Sequence, residues 1–314
     1  MNIHHGLEQV DLENVVLTIG NFDGVHRGHQ AILEAGRRRA ESAGTQLVAM
    51  TFEPHPATVL APDRVPARLT PIDEKLRLLK AHGASSTVIV KSEARFFDIE
   101  ADAFLRTWVL PRFRPMAMVE GASFRYGHHQ AGNVETLIAA GTALGFEVEI
   151  VEPIRVGLGG TPGTVISSSL IRHLIRSGTV DQAAMCLGRP YALIGEVIKG
   201  AGRGRTIGIP TANLRIEDQL VPAEGVYAGI ATFDAQRLAA AVSIGKTPTF
   251  GAGALAVEAH LVGFDPDLYG KTVRIELLEW IRSQQQFDGK DALVAQINRD
   301  IEHTAAVFQQ AQTP

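Results

Sequence analysis

The first half of the chain alternates short apolar runs with amphipathic stretches. The apolar runs lie at 14–19, 46–52, 87–90, 116–119 and 147–151. Such runs are typical of strands buried on both faces, whereas the stretches at 30–43, 101–110 and 133–144 have helical spacing. Strands that alternate with helices form a parallel sheet wrapped by helices. The pattern therefore predicts an α/β domain.

A further helix is predicted to begin near Thr70. Thr70 suits the N-cap, Pro71 suits the first helical position, and Asp73 is placed to complete a capping box. The apolar residues Ile72 and Leu76 then fall on one face of this helix. We expect the Thr70 side chain to accept a hydrogen bond from the first helical turn.

The pattern changes near Arg189. Beyond it, runs rich in Val, Ile and Tyr lie at 193–198, 225–233, 238–244, 255–264 and 272–280. Several strands separated by Gly, Pro and Asp turns predict an antiparallel barrel or sandwich. The tail, at about 290–310, has the spacing of one long helix. We therefore expect two domains, an α/β domain at 1–186 and a β domain at 187–314.

Composition narrows the class of protein. The 314 residues exceed one usual domain, and 45% hydrophobic with 20% charged residues is a globular balance. A net charge of −4 gives no overall basic field for nucleic acid or anionic lipid. The single cysteine, Cys186, favours a reducing compartment, and neither a signal peptide nor a membrane span is evident. We expect a cytoplasmic protein without nucleic acid or membrane partners; nothing in the sequence supports self-association.

The first predicted strand runs directly into a glycine-rich segment, 20–29, that opens a helix. A helix start offers free backbone N–H groups and a positive dipole end, and Gly20, Gly24 and Gly28 allow a phosphate to approach the backbone. His26 and His29 are three residues apart, so both imidazoles face one side of a helical turn. The segment predicts an anion site, although two chance surface histidines and a metal pair are alternatives.

This segment resembles the H-x-G-H signature of the nucleotidyltransferase superfamily, which has a Rossmann-like fold. The resemblance implies that His26 and His29 act on the phosphates of ATP. It also implies that the loop residues around them bind the nucleotide. These loop residues are Gly20, Asn21, Phe22, Asp23 and Gly28.

A Ser-rich segment at 165–172 precedes another predicted helix. Its hydroxyls alone would be explained as N-caps. Together with the histidine segment, however, it is similar to the second signature of the same superfamily, a Ser-rich loop ending in Ile-Arg. The resemblance implies that Ser167, Ser168 and Arg172 contact ATP phosphates opposite His26 and His29.

Two segments between these signatures resemble the FMN adenylyltransferase module of bifunctional riboflavin kinase/FAD synthetases. They are 51–56 and 121–127. The resemblance implies flavin contacts. The residues concerned are Phe52, Pro54, His55, Ser123 and Phe124. The family more often has Asp or Asn where this chain has Ser123, so the departure bears on the flavin side and leaves the ATP signature intact.

The second half contains a loop dense in glycine and basic residues, 199–208, followed by Pro210-Thr211-Ala212-Asn213. A dinucleotide fingerprint is rejected because Pro and a β-type sequence follow the loop instead of a helix. Walker A loops fail as well, since Ala240 and Asp265 stand where the leading glycine belongs. Alone, the loop would be explained as a mobile hairpin tip.

The Pro-Thr-Ala-Asn segment resembles that of riboflavin kinases, and four further segments support it in the family's order. They are 225–227, 242–245, 257–260 and 267–270. The resemblance implies that the loop residues Lys199, Gly200, Gly202 and Gly208 bind phosphate and that Arg282 contacts the flavin. The family's catalytic glutamate corresponds to Glu258. Gln284, Gln285 and Gln286 replace residues that are often charged in the family.

These residue types suit phosphoryl transfer. A Mg²⁺ ion takes hard oxygen ligands, which the Thr211 hydroxyl and the Asn213 amide would supply. Riboflavin presents a neutral alcohol, so its attack on ATP benefits from a carboxylate base such as Glu258. An exposed strand glutamate without a catalytic role is the alternative for Glu258, and the motif match outweighs it.

The resemblance covers about 17–301 and implies a bifunctional enzyme of flavin cofactor synthesis. The C-terminal barrel would make FMN and ADP from riboflavin and ATP, and the N-terminal domain would make FAD and pyrophosphate from FMN and ATP. One rival is a different adenylyltransferase fused to an unrelated barrel, against which the Pro-Thr-Ala-Asn segment argues. A second is an inert flavin sensor; the presence of His29, Asn213 and Glu258 argues against it.

Overall fold

The computed structural model describes residues 1–8, 10–200, 202, 204–246, 255–264 and 267–312. The chain divides into two compact units, Met1–Ser168 and Ser169–Pro314. The predicted domain boundary, between residues 186 and 187, lies further along the chain. The segment between the two positions forms two helices of the second unit, whose bounds are given below.

The first unit is built on a six-stranded parallel sheet of order β1-β4-β3-β2-β5-β6. The strands are β1 Asn2–His5, β2 Val16–Ile19, β3 Leu47–Glu53, β4 Ser86–Lys91, β5 Ala117–Gly121 and β6 Glu147–Val151. Buried side chains lie on both faces of this sheet in two clusters, one including Leu17 and Met50 and the other Val16 and Ala49. The predicted parallel sheet is confirmed.

Helices cover the two faces of the sheet. They are α1 Arg27–Ser42, α2 Ala57–Leu60, α3 Ile72–Ala81, α4 Ala94–Phe97, α5 Ala101–Ala103, α6 Leu110–Phe113 and α7 Val134–Leu144. A π-helical turn, Phe104–Val109, joins α5 to α6, so the helix predicted at 101–110 is irregular. The N-cap of α7 is Asn133, which forms a capping box with Thr136. Short 3-10 turns lie at Pro62–Arg64 and His128–Gln130.

The predicted start of α3 is wrong in its details. The helix begins at Ile72 with Pro71 at the N-cap, and no side chain caps it. Instead, the Asp23 carboxylate accepts hydrogen bonds from the backbone N–H groups of Leu69 and Thr70, at 3.0 to 3.1 Å. A carboxylate from a distant segment thus stabilises the chain just before the helix, a contact that a local capping pattern does not reveal.

Three strands of this unit escaped the sequence pattern. β1 is an edge strand that pairs with β4, and its side chains are largely exposed, so it shows no apolar run. β7 Arg155–Leu158 and β8 Thr161–Val165 form a separate antiparallel hairpin that is also largely exposed.

The second unit begins with α8 Ser168–Arg176 and α9 Val180–Leu187 and continues into a closed antiparallel barrel of order β10-β13-β12-β11-β14-β9. The barrel strands are β9 Tyr191–Ile198, β10 Ala212–Arg215, β11 Gly225–Phe233, β12 Gln236–Lys246, β13 Leu255–Leu261 and β14 Thr272–Arg282. The C-terminal helix is α10 Lys290–Gln312. The structure selects the barrel over the sandwich.

Within the described part of the chain, no helix combines the length and the apolarity needed to cross a membrane.

Candidate functional sites

The loop after β2 is anchored by both neighbouring strands. The Ile19 N–H donates to the buried Glu120 carboxylate at the end of β5, 2.8 Å away. On the other side, Gly20 N–H donates to the Met50 carbonyl at 3.0 Å, and Thr51 Oγ1 donates to the Asn21 carbonyl at 3.2 Å. Because parallel strands end at one edge of the sheet, three strand ends fix the path of this loop.

The loop itself turns sharply before α1. Phe22 and Val25 have positive φ angles of 48° and 39°, and Gly24 has one of 90°. A β-carbon added at Gly20 would lie 3.2 Å from the Phe22 ring, and one added at Gly28 would lie 3.1 Å from the His26 imidazole. Glycine at these two positions therefore lets the two aromatic rings pack against the backbone.

The two histidines lie side by side at the start of α1. Their rings stack with centroids 3.7 Å apart and an interplanar angle of 18°, as the three-residue spacing predicts. His26 is the N-cap, and its Nδ1 accepts a 3.4 Å hydrogen bond from the His29 N–H. In neutral His26 the proton therefore resides on Nε2, where it is a donor.

The surroundings of His29 favour its neutral form. Burial lowers its pKa well below the ordinary value, and the nearby charges of His26 and Lys75 act in the same direction. Its Nδ1 is buried and has no hydrogen-bond partner among the described residues. Buried polar atoms normally have a partner, so the free nitrogen indicates a place for one.

The other residues that are predicted to bind the nucleotide differ in their burial and contacts. Asp23 is buried, and its carboxylate serves the backbone before α3. Ser168 Oγ donates to the Asp23 carbonyl at 2.8 Å, which ties the start of the Ser-rich helix to the loop. Ser167 is half-buried. Arg172 is buried on α8 in the second unit, and its predicted contact with ATP phosphates stays a prediction.

The predicted flavin residues of the first unit lie at the end of β3 or just after β3 and β5, the two strands that flank β2 in the sheet. Phe52 is half-buried and its ring centroid lies 5.7 Å from that of Phe96. Phe124 stacks on Tyr126 with centroids 5.5 Å apart. Pro54 and Ser123 are exposed. His55 is half-buried, and its Nδ1 accepts a 3.1 Å hydrogen bond from the Ala57 N–H.

Sequence reasoning missed a charged group beside the loop. Glu53, at the end of β3, forms an ion pair with Arg68 at 2.5 Å and a longer one with Lys75 at 3.9 Å. It also missed Glu120, whose pKa is raised well above its ordinary value by burial, an effect that the Ile19 N–H partly opposes. Glu53 falls within the 51–56 segment but was not predicted to act, and Arg68, Lys75 and Glu120 belong to no local motif, so only the fold brings these charges to the loop.

In the barrel, strand register brings the predicted kinase residues together. Asn213 on β10 pairs with Glu258 on β13 and with Ile198 on β9. Thr211 directly precedes β10 and lines a small cavity of about 60 Å³ that Arg205 also lines. Glu258 is half-buried, as is Thr211. An amide, a hydroxyl and a carboxylate thus lie on two paired strands.

The glycine-rich loop approaches these residues closely. A β-carbon added at Gly200 would lie 2.2 Å from the Asn213 amide nitrogen, so only glycine leaves room for that amide. Gly202 and Gly208 have positive φ angles of 67° and 78°, which glycine adopts without strain. Lys199 is exposed, with Nζ 6.0 Å from the centroid of the Tyr269 ring.

The two predicted metal ligands present oxygen atoms that make no hydrogen bond within the described part of the chain. Neither the Thr211 hydroxyl nor the Asn213 amide makes a hydrogen bond to another residue that the structure describes, although Asn213 is only 8% exposed. Two hard, neutral oxygens of this kind suit Mg²⁺. The described residues contain no cluster of three or more His, Cys, Asp or Glu side chains that could hold a metal.

Arg282, predicted to contact the flavin, is engaged within the barrel unit. Its guanidinium donates to both carboxylate oxygens of Asp300 on α10, at 2.7 to 3.1 Å. Gln284, one of the departures from the family pattern, donates to the Ile244 carbonyl at 2.9 Å and to Ser243 Oγ at 3.0 Å. Both residues therefore join the end of β14 to neighbouring elements, and the flavin contact of Arg282 stays a prediction.

Comparison with known proteins decides the family. A family model described as FAD synthetase matches residues 8–169, and one described as riboflavin kinase matches residues 187–308. The chain belongs to the family of bifunctional riboflavin kinase/FMN adenylyltransferases. It therefore contains a nucleotidyltransferase domain followed by a kinase domain, as the resemblance implies, and both are transferases.

Relatives of this family match the chain over nearly its whole length. The bifunctional riboflavin kinase/FMN adenylyltransferase of Escherichia coli is 36% identical, over 97% of this chain and 96% of the relative. That of Listeria monocytogenes is 33% identical, over 98% and 97%. A crystal structure described as a macrolide-efflux protein from Streptococcus pneumoniae is 30% identical, with a TM-score of 0.88 over 97% of this chain and 99% of that one.

Proposed function

We propose that this chain makes FMN and ADP from riboflavin and ATP in the barrel domain, and FAD and pyrophosphate from FMN and ATP in the N-terminal domain. The observation that supports the proposal is that the two domains of the family follow one another in this chain and each contains a group of residues suited to phosphate. One is the histidine pair at the start of α1, and the other is the Thr211-Asn213-Glu258 group on paired strands.

In the barrel domain, Glu258 takes the proton from the primary alcohol of riboflavin. The alcohol oxygen then bonds to the γ-phosphorus of ATP, and ADP leaves with the electrons of the broken P–O bond. The half-buried position of Glu258 and its pairing with Asn213 support this assignment, because one strand pair then holds both the base and a metal ligand. Gly200 lets the loop close over the Asn213 amide.

The oxygens of Thr211 and Asn213, which make no hydrogen bond to a described residue, fit a Mg²⁺ ion. Bound with ATP, the ion would supply positive charge to the phosphate oxygens. Thr211 Oγ1 and Asn213 Oδ1 would hold it, and Lys199, Gly200, Gly202 and Gly208 would bind phosphate through their side-chain or backbone N–H groups.

In the N-terminal domain, an FMN phosphate oxygen bonds to the α-phosphorus of ATP and pyrophosphate leaves. The second pKa of the FMN phosphate is about 6, so the nucleophile is mostly ionised at neutral pH and needs no base. What the reaction needs is positioning and stabilisation of charge. The Nε2–H of His26, the free nitrogen of His29 and the start of α1 support this role.

The decisive experiment is incubation of the purified protein with riboflavin, ATP and Mg²⁺, followed by chromatographic separation of the flavins. We expect FMN to appear first and FAD to follow. Supplied FMN should give FAD directly. An inert flavin sensor would bind riboflavin and leave it unchanged, and an adenylyltransferase for another substrate would give no FAD from FMN.

A further inference from the structure

The residue of interest is Lys75, which lies on α3 and is only 5% exposed. Lysine is seldom buried unless its ammonium group is paired, because transfer of a charge out of water is costly. Burial lowers the pKa of Lys75, and the charges of Glu53 and Asp23 oppose that effect. The fold therefore keeps a cation at a place where an ordinary core residue would be more stable.

The protein groups around Lys75 leave its ammonium group poorly paired. Its one ion pair, to Glu53 Oε2, is 3.9 Å long, and Glu53 Oε1 is already bound by Arg68 at 2.5 Å. Within the described chain, Nζ makes no hydrogen bond. Glu53 is thus shared between Arg68 and Lys75, and the Lys75 ammonium keeps N–H donors that no described residue accepts.

The position of Lys75 relates this unused charge to the loop before α1. Its charge is close enough to His29 to lower the pKa of that imidazole, and it also acts on Asp23. Asp23 in turn binds the backbone N–H groups of Leu69 and Thr70, which brings the start of α3 to the loop. Two nitrogens that make no hydrogen bond to a described residue, the buried His29 Nδ1 and Lys75 Nζ, therefore belong to one region.

We propose that Lys75 binds the polyphosphate chain of the nucleoside triphosphate during adenylyl transfer, and that it likewise holds the pyrophosphate that leaves. A polyphosphate would supply the acceptor oxygens and the negative charge that Lys75 lacks in the free protein. Lys75 stays protonated and exchanges no proton, so its contribution is electrostatic. This inference rests on the proposal that ATP binds at the loop before α1.

The test compares Lys75→Met with Lys80→Met in the full-length protein. Lys80 lies on the same helix but is exposed, so its substitution controls for the loss of one lysine. We expect Lys75→Met to lower kcat/KM for ATP in adenylyl transfer by about a hundredfold and to raise the inhibition constant of inorganic pyrophosphate about tenfold or more. Lys75→Arg should recover part of both, and Lys80→Met should change neither.

Folding and binding effects are separable in the same preparations. Lys75→Met replaces a buried charge by a long apolar side chain and leaves Glu53 paired with Arg68, so the melting temperature should not fall. Riboflavin phosphorylation, which occurs in the other domain, should be unchanged. A purely structural lysine would instead give a lower melting temperature with an unaltered pyrophosphate inhibition constant, and that result would overturn the proposal.

His29→Ala distinguishes failure of this inference from failure of the ATP site itself. If His29→Ala impairs adenylyl transfer while Lys75→Met leaves both KM for ATP and pyrophosphate inhibition unchanged, Lys75 has no part in phosphate binding. If neither variant changes these constants, the polyphosphate binds elsewhere and the proposed ATP site is also wrong.

Discussion

The two regions proposed to bind phosphate use different kinds of side chain. At the start of α1, the groups proposed to meet the ligand are backbone N–H groups and two imidazoles, with the Lys75 ammonium of α3. In the barrel, they are a hydroxyl, an amide and a carboxylate on or beside paired strands. The proposed nucleophiles explain the difference, because an FMN phosphate arrives ionised whereas the riboflavin alcohol must lose a proton.

The regions also differ in how the backbone positions their groups. In the barrel, the register of β10 and β13 alone places Asn213 opposite Glu258. The loop after β2 has no such ladder, and contacts from Glu120, Met50 and Thr51 hold it. The loop therefore depends on three separate anchors, whereas one strand pairing positions Asn213 and Glu258.

The largest expected effect comes from separating the two regions. Fragments 169–314 and 187–314 should both phosphorylate riboflavin, and neither should form FAD from FMN. The longer fragment should melt at a higher temperature, because Val180, Ala183 and Leu187 of α9 are buried and α9 packs on β9 and β14. If 187–314 melts cooperatively yet makes no FMN while 169–314 does, the kinase domain begins near residue 169.

The next effect compares two residues within the barrel. Glu258→Gln keeps the size of the side chain but accepts no proton, so kcat for riboflavin phosphorylation should fall ~10² to 10⁴-fold with KM for ATP little changed. Asn213→Ala removes a metal ligand, so raised Mg²⁺ should recover part of its activity. Both variants should still make FAD from FMN. Glu196→Gln on β9 is the control, because the Glu196 side chain is 42% exposed.

Either of two results would contradict that assignment. A near-normal kcat in Glu258→Gln would remove the role of Glu258 as the base. Recovery of Glu258→Gln by added Mg²⁺ would indicate that this carboxylate acts on the metal instead.

A smaller loss is expected at the start of α1. His29→Ala removes one transition-state contact worth about 2 to 4 kcal/mol, which corresponds to roughly a thirty- to thousandfold slower FAD formation. FMN formation should stay near normal, since the kinase residues lie in the other domain. His5→Ala, an exposed histidine on β1 of the same unit, is the control. Equal loss of both activities in His29→Ala would indicate misfolding or one shared site.

The sequence predicts the two regions unequally well. The spacing predicts that His26 and His29 face one side, and the family resemblance implies roles for Asn213 and Glu258, which the strand register pairs. Lys75, Arg68 and Glu120 were missed because strand order, and no local pattern, brings them to the loop. The capping of α3 failed for the same reason, since its stabilising carboxylate is 46 residues away.

In the barrel, the sequence predicts the long strands but misses a short strand and the docking of a helix. Its longer strands were found from their apolar runs, and β11 has the predicted bounds. β10 was missed because it is four residues long and lies within the Pro-Thr-Ala-Asn motif. The pairing of Arg282 with Asp300 was also missed, because α10 had been identified only as a helix and nothing in its spacing gives its docking position.

The smallest expected effect tests how the loop after β2 is anchored. Burial raises the pKa of Glu120, so the folded protein retains a proton that the unfolded chain releases at about pH 4.3. The contribution of Glu120 to the free energy of unfolding is fully present below that pH. It is lost as the pH rises through the pKa that Glu120 has in the folded protein. Glu120→Gln is neutral at every pH, and its Oε1 still accepts the hydrogen bond of Ile19 N–H.

The free energy of unfolding of Glu120→Gln should therefore match the parent near pH 4.3 and exceed it increasingly at higher pH, by at most about 1.4 kcal/mol per pH unit. Urea unfolding at pH 5, 6, 7 and 8 measures the difference. In a Trp280→Phe background, fluorescence reports on Trp108 of the first unit, because the chain has only 2 tryptophans. Glu149→Gln on β6 is the control. If the difference in free energy of unfolding between Glu120→Gln and the parent does not change with pH, Glu120 has the same ionisation in the folded and unfolded chains. The anchor of the loop would then be a charged carboxylate, as Glu258 is proposed to be in the barrel.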